Sequence, residues 1–531
     1  EGINASQITI TDMSSTATGN QTINGTSGND TILGAMGVDT ITTGTGNDVV
    51  AASLGDDLIT IDGSGPKIIT GGGGTDSLFI NYSGVTSLSH FASISREYTN
   101  SNTIEAAMYN LTNANGELII FTGIEHLIIG GSLIKILSPT NASINSMWSA
   151  SENTLYMYSQ TIGSNPPVGS TSFEGPTSGG LTNLNKSIPL VIKGTPYADS
   201  GNYNFSRTSG GFESALSIDL GAGNDDIYGL RSIAGDSIDL GAGNDKISLY
   251  PLSGQAILSH NLTKLDGGAG IDTLDFGFSG YGEAGATLTL TSRGATNFEN
   301  LVGTGVSETL QGDSNNNILA GGGGADKIYG NDGDDTLYGN HLQGNWATGA
   351  PINYRLNEIV YRAAHNQNDN ANNLLYGGLG NDTLITGNGN DTLDGGKGSD
   401  FIYTGSGNDL IILRAGDGGA SLSDADIIGW ANDGPGITST YDNKSGFTDG
   451  FDTFGLADGL TFGDLTIAQG TGDYSNDAII SVTASSEYLA IVEGINASQI
   501  TITDMSSTAT GNQTINGTSG NDTILGAMGV D

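Results

Sequence analysis

The strongest constraint on this 531-residue chain is a period of nine residues, with glycine at the fourth position, aspartate at the sixth and Ile, Leu or Val at the eighth. From Gly25 the chain reads GTSGNDTIL, GAMGVDTIT, TGTGNDVVA and ASLGDDLIT. So short a period predicts a solenoid, because each repeat can add only one short strand to those before it. Two repeats make one coil, so strands of alternate repeats stack at the sheet spacing of about 4.8 Å, with the eighth residue pointing into a narrow core.

Three later blocks repeat the pattern. The second contains LGAGNDDI and GGAGIDTL, the third contains GGGGADKIY and GNDGDDTLY, and in the fourth an aspartate recurs every nine residues up to Asp409. The alternative is a flexible Gly/Asp-rich linker, but a linker has no reason to keep an apolar residue in phase. We therefore predict an all-β chain of parallel β-roll (β-solenoid) blocks, interrupted by irregular β-rich insertions and one short helix.

The conserved phase of glycine and aspartate within the chain also predicts a metal. A glycine turn adopts positive φ and can point its carbonyl oxygens inward, and the aspartate adds a carboxylate. Carboxylate and carbonyl oxygens, without sulfur or imidazole, suit Ca²⁺. Stacking places Asp30 above Asp48 and Asp39 above Asp57, with an ion between successive turns. Because stacked carboxylates repel one another, we expect the blocks to be disordered without Ca²⁺.

The predicted metal ligands are the sixth-position aspartates and the fourth-position glycines of the repeats. The aspartates are Asp30, Asp39, Asp48, Asp57, Asp76, Asp225, Asp236, Asp245, Asp272, Asp326, Asp335, Asp382, Asp391, Asp400, Asp409 and Asp522. The glycines are Gly28, Gly37, Gly46, Gly55, Gly74, Gly223, Gly243, Gly270, Gly324, Gly333, Gly380, Gly389, Gly398 and Gly407. Weak or missing sites are expected where another residue takes the aspartate position, at Pro66, Glu308, Asn317 and Asn373. The 20-residue step from Asp225 to Asp245 predicts a bulged coil.

The nonapeptide is the GGxGxDxUx repeat, and the four blocks resemble the RTX family of calcium-binding parallel β-rolls. The resemblance implies several Ca²⁺ ions, each held by aspartate carboxylates and glycine-loop carbonyls of adjacent coils. It also implies export by a one-step (type I) system that reads an uncleaved C-terminal signal, and therefore an extracellular or cell-surface location.

The segments between the blocks give the expected domain organisation. Residues 340–372 contain Leu356, Ile359, Val360 and Ala363 on one helical face, which predicts a short helix that either covers the roll or docks a partner. The expected order is the end of a closing β module (1–17), the first roll (18–79), an irregular β-rich insertion (80–190), the bulged second roll (191–300), the third roll (301–339), the helix-containing insertion (340–372), the fourth roll (373–413), a closing β module (414–509) and the start of another first roll (510–531).

The chain repeats itself at long range as well. Residues 1–39 recur without one change at 493–531, an offset of 492 residues. This recurrence predicts a fragment of a larger protein built from near-identical units of about 492 residues, with an artificial duplication of the stretch as the alternative.

Composition excludes several classes of function. Asp and Glu number 57 against 16 Lys and Arg, for a net charge of −41, which argues against nucleic acid and anionic membranes as partners. The chain has no Cys, and its apolar runs are far too short for membrane insertion. None of its five His begins an HExxH motif and no Ser lies in GxSxG, so we expect no enzyme.

Two non-enzymatic functions compete, and a third function is less favoured. The favoured one is a segment of a long extracellular fibre, filament or adhesin made of tandem units, whose β-rolls Ca²⁺ stiffens. The alternatives are a surface-layer or sheath protein and, behind it, the RTX appendage of a secreted toxin or enzyme. The expected partners are other copies of the same unit, followed by cell-surface or extracellular-matrix components.

Overall fold

The structure is a computed structural model. It describes residues 19–97, 108–113, 115–136, 146–149, 154–157, 159–161, 173–174, 189–195, 198–202, 215–250, 258, 261–277, 282–339, 371–429, 447, 451–506, 512–516 and 521–525.

Most strands are short, and those of the nonapeptide repeats follow glycine-rich turns. Through residue 270 they are β1 (Thr22–Asn24), β2 (Thr31–Leu33), β3 (Thr40–Thr42), β4 (Asp48–Leu54), β5 (Leu58–Ile61), β6 (Lys67–Gly73), β7 (Ser77–Ile80), β8 (Phe91–Glu97), β9 (Met108–Asn113), β10 (Leu118–Thr122), β11 (His126–Ile129), β12 (Ser132–Ile136), β13 (Ser146–Ser149), β14 (Thr154–Met157), β15 (Ser159–Thr161), β16 (Phe173–Glu174), β17 (Leu190–Lys193), β18 (Ser200–Asn202), β19 (Leu216–Asp219), β20 (Asp226–Arg231), β21 (Ser237–Asp239), β22 (Lys246–Tyr250) and β23 (Lys264–Asp266).

From residue 271 onwards the strands are β24 (Thr273–Asp275), β25 (Thr287–Thr289), β26 (Ala295–Thr296), β27 (Asn300–Val302), β28 (Thr309–Gln311), β29 (Ile318–Ala320), β30 (Lys327–Asp332), β31 (Thr336–Tyr338), β32 (Leu374–Leu379), β33 (Thr383–Ile385), β34 (Thr392–Lys397), β35 (Phe401–Tyr403), β36 (Leu410–Leu413), β37 (Asp426–Ile428), β38 (Thr453–Leu456), β39 (Leu465–Gln469), β40 (Ala478–Val482), β41 (Tyr488–Val492), β42 (Met505–Ser506), β43 (Asn512–Asn516) and β44 (Asn521–Leu525).

The helices among the described residues are single 3₁₀ turns, at Leu88–His90, Ser292–Gly294, Leu422–Asp424, Phe462–Asp464, Gly472–Tyr474 and Ile502–Asp504. The predicted helix of residues 340–372 lies outside the described residues. Nothing in the described part of the chain forms a helix with the length and hydropathy needed to cross a bilayer.

One compact unit comprises residues 1–247 and 260–270. Its two roll sheets are columns of parallel strands, β1-β3-β5-β7-β11 and β2-β4-β6-β10, so alternate repeats stack as the period predicts. The eighth-position side chains form the core, with Ile41 between its partners Ile23 and Ile59 in the column. The all-β fold and its parallel stacking are confirmed.

The columns of this unit run on beyond the boundary expected at residue 79. Strands β10 and β11 lie in the stretch predicted to be an insertion, yet they pair in parallel with β6 and β7. Stacking needs only main-chain hydrogen bonds and an inward apolar residue, and Phe121 and Leu127 supply it without the glycine–aspartate pattern. Antiparallel strands β12, β13 and β14 then continue the first sheet between β11 and β17, and β9 and β8 extend the second sheet beyond β10. Parallel stacking resumes in β17-β19-β21-β23, and the 20-residue coil keeps its register (Ile218 pairs with Ile238).

The second compact unit comprises residues 248–259 and 271–531. Parallel columns run through β24-β27-β29-β31-β33-β35-β37-β41 and β25-β28-β30-β32-β34-β36-β38-β42. Leu337 pairs with Leu384, and Ile328 with Leu375, so the expected third and fourth rolls are one roll whose register survives the intervening residues 340–372. The columns also continue into the expected closing module, through β37, β38, β41 and β42. Strands β40 and β39 lie beyond β41 at the end of one sheet and pair in antiparallel fashion.

The repeated segment adopts two pairings. In its first copy, β1 and β2 pair in parallel with β3 and β4 of the following coil. In its second copy, the same residues form β43 and β44, which pair with each other in antiparallel fashion.

Candidate metal centres

The sixth-position residues are joined by a chain of hydrogen bonds along each column. The backbone N–H of one residue donates to the side-chain Oδ1 of its counterpart one coil later, over 2.6–3.1 Å, as Asp39 does to Asp57 and Asp382 does to Asp400. We call these acceptors the aspartate ladder: Asp39, Asp48, Asp57, Asp76, Asp225, Asp245, Asp326, Asp335, Asn373, Asp382, Asp391, Asp400, Asp409, Asp426 and Asp452.

The second carboxylate oxygen, Oδ2, has two kinds of environment. In some turns it accepts the N–H of a residue in its own turn, as Asp30 accepts from Thr26, Asp39 from Ala35 and Asp199 from Thr195. In others Oδ2 is buried and accepts no hydrogen bond from the described residues. The members of this second group are Asp57, Asp76, Asp225, Asp335, Asp382, Asp400 and Asp409.

The glycine at the first position of the repeat shapes the space beside Oδ2. A Cβ added at Gly330 would lie 2.3 Å from Asp335 Oδ2, and one added at Gly377 would lie 2.3 Å from Asp382 Oδ2. Only glycine leaves this cradle open, so a buried anionic oxygen faces a space that a side chain would fill.

The fourth-position glycine is required by the closeness of the coils. A Cβ added at Gly407 would lie 1.6 Å from the carbonyl oxygen of Gly389 one coil earlier, and the φ of Gly407 is +158°. Gly28 lacks this conformation, and its N–H donates to Thr26 Oγ1. The other predicted glycines have positive φ: Gly37, Gly46, Gly55, Gly74, Gly223, Gly243, Gly270, Gly324, Gly333, Gly380, Gly389, Gly398 and Gly407.

Burial makes several of the ladder carboxylates costly to ionise. Desolvation raises the pKa of Asp225 to about 9 and that of Asp409 to about 8, against an ordinary value of 3.8. Burial likewise raises the pKa of Asp335 and Asp382 to about 7. In the absence of a cation, Asp225 and Asp409 therefore hold protons at neutral pH and Asp335 and Asp382 are about half protonated there, whereas a bound cation would favour the ionised carboxylates.

One turn shows that this environment accepts a positive charge. The ammonium of Lys67 lies 3.1 Å from Asp48 Oδ2 and donates to the carbonyl oxygens of Gly46, Ser64 and Gly65 at 2.6, 3.1 and 3.2 Å. Turn carbonyls from two successive coils thus converge with a ladder carboxylate on one cation. Within the described residues, no three Asp, Glu or His side chains form a group that could hold a metal ion. The donor set fits Ca²⁺.

The structure also revises the position assigned to Pro66. Asp48 pairs with Lys67, 19 residues later, so one extra residue lies in the turn and Lys67 takes the sixth position. Asp48 therefore faces an ammonium rather than a second carboxylate.

Other predicted ligands differ in their surroundings. Asp236 accepts hydrogen bonds from the N–H groups of Leu216 and Ile233, and Asp272 donates its N–H to Glu299. Asp522 lies in β44, whose side chains are not described. At two of the degenerate positions, Glu308 and Asn317 still donate their backbone N–H to the ladder, to Asp326 and Asp335.

Sequence reasoning missed several members of these columns. Asp199, Asp426 and Asp452 each accept or donate the ladder hydrogen bond, and Glu125 accepts the N–H of Asp76. Asp199 had a signal, because GTPYAD places it five residues after Gly194, the spacing of Gly25 to Asp30. Asp426 and Asp452 follow their partners by 26 and 43 residues, which hides them from a search at fixed period.

The stacked coils and their carboxylate ladder define a calcium-binding parallel β-roll. A family model, the RTX calcium-binding nonapeptide repeat (4 copies), matches residues 15–50, 34–60, 303–340, 369–402, 376–411, 385–418 and 507–531. The chain thus contains several copies of the RTX nonapeptide repeat, and repeats of this kind bind Ca²⁺ at multiple sites.

Among solved structures, the extracellular lipase LipA from Serratia marcescens matches with 13% identity and a TM-score of 0.15, covering 90% of this chain. The chain spans 40% of the length of that lipase. No curated protein sequence matches the chain.

Proposed function

We propose that the chain is a structural segment of an extracellular fibre, filament or adhesin built from tandem units of about 492 residues and stiffened by Ca²⁺. The observation that carries the proposal is the recurrence of residues 1–39, unchanged, at 493–531. Identical sequence at that distance is what tandem duplication of one unit produces.

The fold supports a mechanical role. Each coil is fastened to the next by main-chain hydrogen bonds and by the ladder, and most roll strands give the core only one or two apolar residues. A thin core alone stabilises a coil weakly, since a buried Leu or Ile contributes about 1.5–3 kcal/mol while ordering each residue costs about 1–2 kcal/mol. Ions between the coils supply the difference, so the rolls would be stiff where Ca²⁺ is abundant, as outside cells.

We propose that the unit is not an enzyme, that its partners are further copies of itself, and that cell-surface or matrix components form a second class of partner.

A two-unit protein tests the proposal. Residues 1–531 are followed directly by a second copy of residues 40–531, and particle length is measured by negative-stain electron microscopy in Ca²⁺ and after chelation. We expect particles about twice as long as the single unit in Ca²⁺, which shorten and become protease-sensitive after chelation.

Two outcomes would contradict the fibre. Two-unit particles no longer than the single unit would show that units do not extend in series. A single unit that assembles into flat lattices would favour a surface-layer or sheath protein.

A further inference from the structure

Lys67 is a fully buried lysine in the position that the repeat gives to aspartate. Its side chain is 0% exposed, and its backbone pairs with Asp48 in the parallel register of β4 and β6. A buried ammonium costs several kcal/mol unless charge and hydrogen bonds compensate it. Its environment must therefore be built to hold a cation.

The oxygens around the ammonium belong to the inter-coil turn. Gly46 lies in the turn of Asp48, whereas Ser64 and Gly65 lie in the turn one coil later, and each contributes its carbonyl oxygen. Asp48 Oδ2 completes the set at 3.1 Å. These are the ligand types expected of Ca²⁺ between two coils, at the longer distances of ammonium hydrogen bonds.

The sum of the charges at this turn also favours an ammonium in place of a calcium ion. Two facing aspartates with one Ca²⁺ sum to zero, and so do Asp48 and Lys67 without any ion. A Ca²⁺ added beside Lys67 would leave two excess positive charges in a buried site. We propose that the Lys67 ammonium takes the place of a calcium ion at this turn, so that this step of the column is held by a covalently attached cation.

Strand β10, which follows β6 in the sheet, shows why a step held without calcium is useful at this position. Strand β10 stacks on β6, with Ile119 opposite Lys67, and its approach lacks the glycine–aspartate turn. Glu117 instead accepts the N–H of Gly65 at 2.8 Å and the side-chain N–H of Asn113 at 2.7 Å. Lys67 thus occupies the step at which the glycine–aspartate repeats meet strands that lack this repeat. This junction stays formed when Ca²⁺ is removed. The inference rests on the calcium sites of the ladder and is independent of the fibre.

Amide hydrogen exchange of the full chain in excess chelator tests the inference. The N–H groups of Gly46 and Asp48 donate across the Lys67 step, to Ser64 and Pro66. The matched N–H groups of Gly389 and Asp391 cross a step with aspartate on both sides. We expect exchange at Gly46 and Asp48 to be at least about tenfold slower without Ca²⁺, the factor that corresponds to about 1.4 kcal/mol.

Two substitutions complete the test. Lys67→Met should abolish the extra protection in chelator, while Lys327→Met, at an exposed lysine, should leave it unchanged. Lys67→Asp should bind one more Ca²⁺ per chain than the wild type, counted by equilibrium dialysis of protein with native circular dichroism in Ca²⁺.

Unchanged stoichiometry in a folded Lys67→Asp variant would overturn the inference. So would equal exchange at the two steps of the wild type, a measurement that stands even if the variant does not fold. Neither result bears on particle length, so the inference and the fibre proposal can fail separately.

Discussion

Replacement of Asp382 by asparagine should change the stability of the roll in opposite directions with and without calcium. Asp382 Oδ1 accepts the N–H of Asp335, and its Oδ2 is buried and accepts no hydrogen bond from the described residues. Asparagine keeps Oδ1, as Asn373 does where it accepts the N–H of Asp326 at 2.9 Å. Asp382→Asn therefore removes the charge while it preserves the ladder.

The magnitude follows from the pKa. Burial raises the pKa of Asp382 from 3.8 to about 7, and each pKa unit corresponds to about 1.4 kcal/mol. Because the folded-state pKa is raised, the carboxyl favours folding fully below pH 3.8, loses that contribution as the pH rises to about 7, and carries the full penalty above it. Without calcium at pH 7.5, the asparagine variant should be more stable by roughly 2–4 kcal/mol, the lower value allowing for screening by water.

Calcium should reverse the order of the two proteins. The variant lacks a carboxylate ligand, and an ion present at 100 times its Kd contributes about 2.7 kcal/mol. In saturating Ca²⁺ the wild type should therefore be the more stable by about 2–3 kcal/mol for each ion lost. Urea denaturation followed by circular dichroism, with exchange of the amides in residues 374–411, measures both conditions.

The matched control is Asp334→Asn, because Asp334 is exposed and asparagine can still accept the N–H of Asn381. It removes the same charge beside the ladder and should show no reversal. At pH 3, below the ordinary carboxyl pKa of 3.8, the unfolded carboxyl is itself largely protonated, and the advantage of Asp382→Asn in metal-free protein should vanish. A variant that is less stable than the wild type in chelator at pH 7.5 would refute the reasoning.

Three further predictions concern other features. Metal-stripped protein should gain β structure on acidification from pH 8 to pH 4, because the raised pKa values of Asp76, Asp225 and Asp409 favour the folded state in acid; circular dichroism against pH checks this. Gly398→Ala should destabilise the roll by more than about 1 kcal/mol in urea titration, because φ is +144° and the new Cβ would lie 1.7 Å from a carbonyl oxygen, whereas Gly305→Ala meets no atom within 4 Å and should have little effect. Asp394→Ala should cost about 3–5 kcal/mol by the same assay, because it leaves the buried guanidinium of Arg414 without its bidentate partner.

The sequence predicts the core and most of the ladder because both follow directly from the period. Once two repeats make a coil, Ile41 must stack on Ile59, and Asp39 on Asp57. The burial of these side chains needs no information from distant parts of the chain. Antiparallel strands such as β12 and β13 interrupt the parallel stacking between β11 and β17, and they lack the nonapeptide pattern that sets the register of the coils.

The role of Lys67 could not be predicted for a specific reason. Counting in nines from Asp57 puts Pro66 at the sixth position, and only the pairing of Asp48 with Lys67 shows that the turn GSGPK holds one residue more. A single extra residue in a turn costs little, since the turn lies outside the strands. The stacked strands keep their register despite the extra residue, whereas counting in nines from Asp57 shifts by one position.

The two oxygens of a ladder aspartate have separate tasks, and this separation explains the substitutions that the columns contain. Oδ1 fastens one coil to the next through a main-chain N–H, a task that asparagine performs equally well at Asn373. Oδ2 carries the charge that a cation must neutralise, and at Asp48 the chain supplies that cation from Lys67. A column can therefore alternate steps that need calcium with steps that do not, without any break in its hydrogen bonds. We therefore expect the coils at Lys67 and at Asn373 to depend less on calcium than the coils that carry a ladder aspartate on both sides of the step.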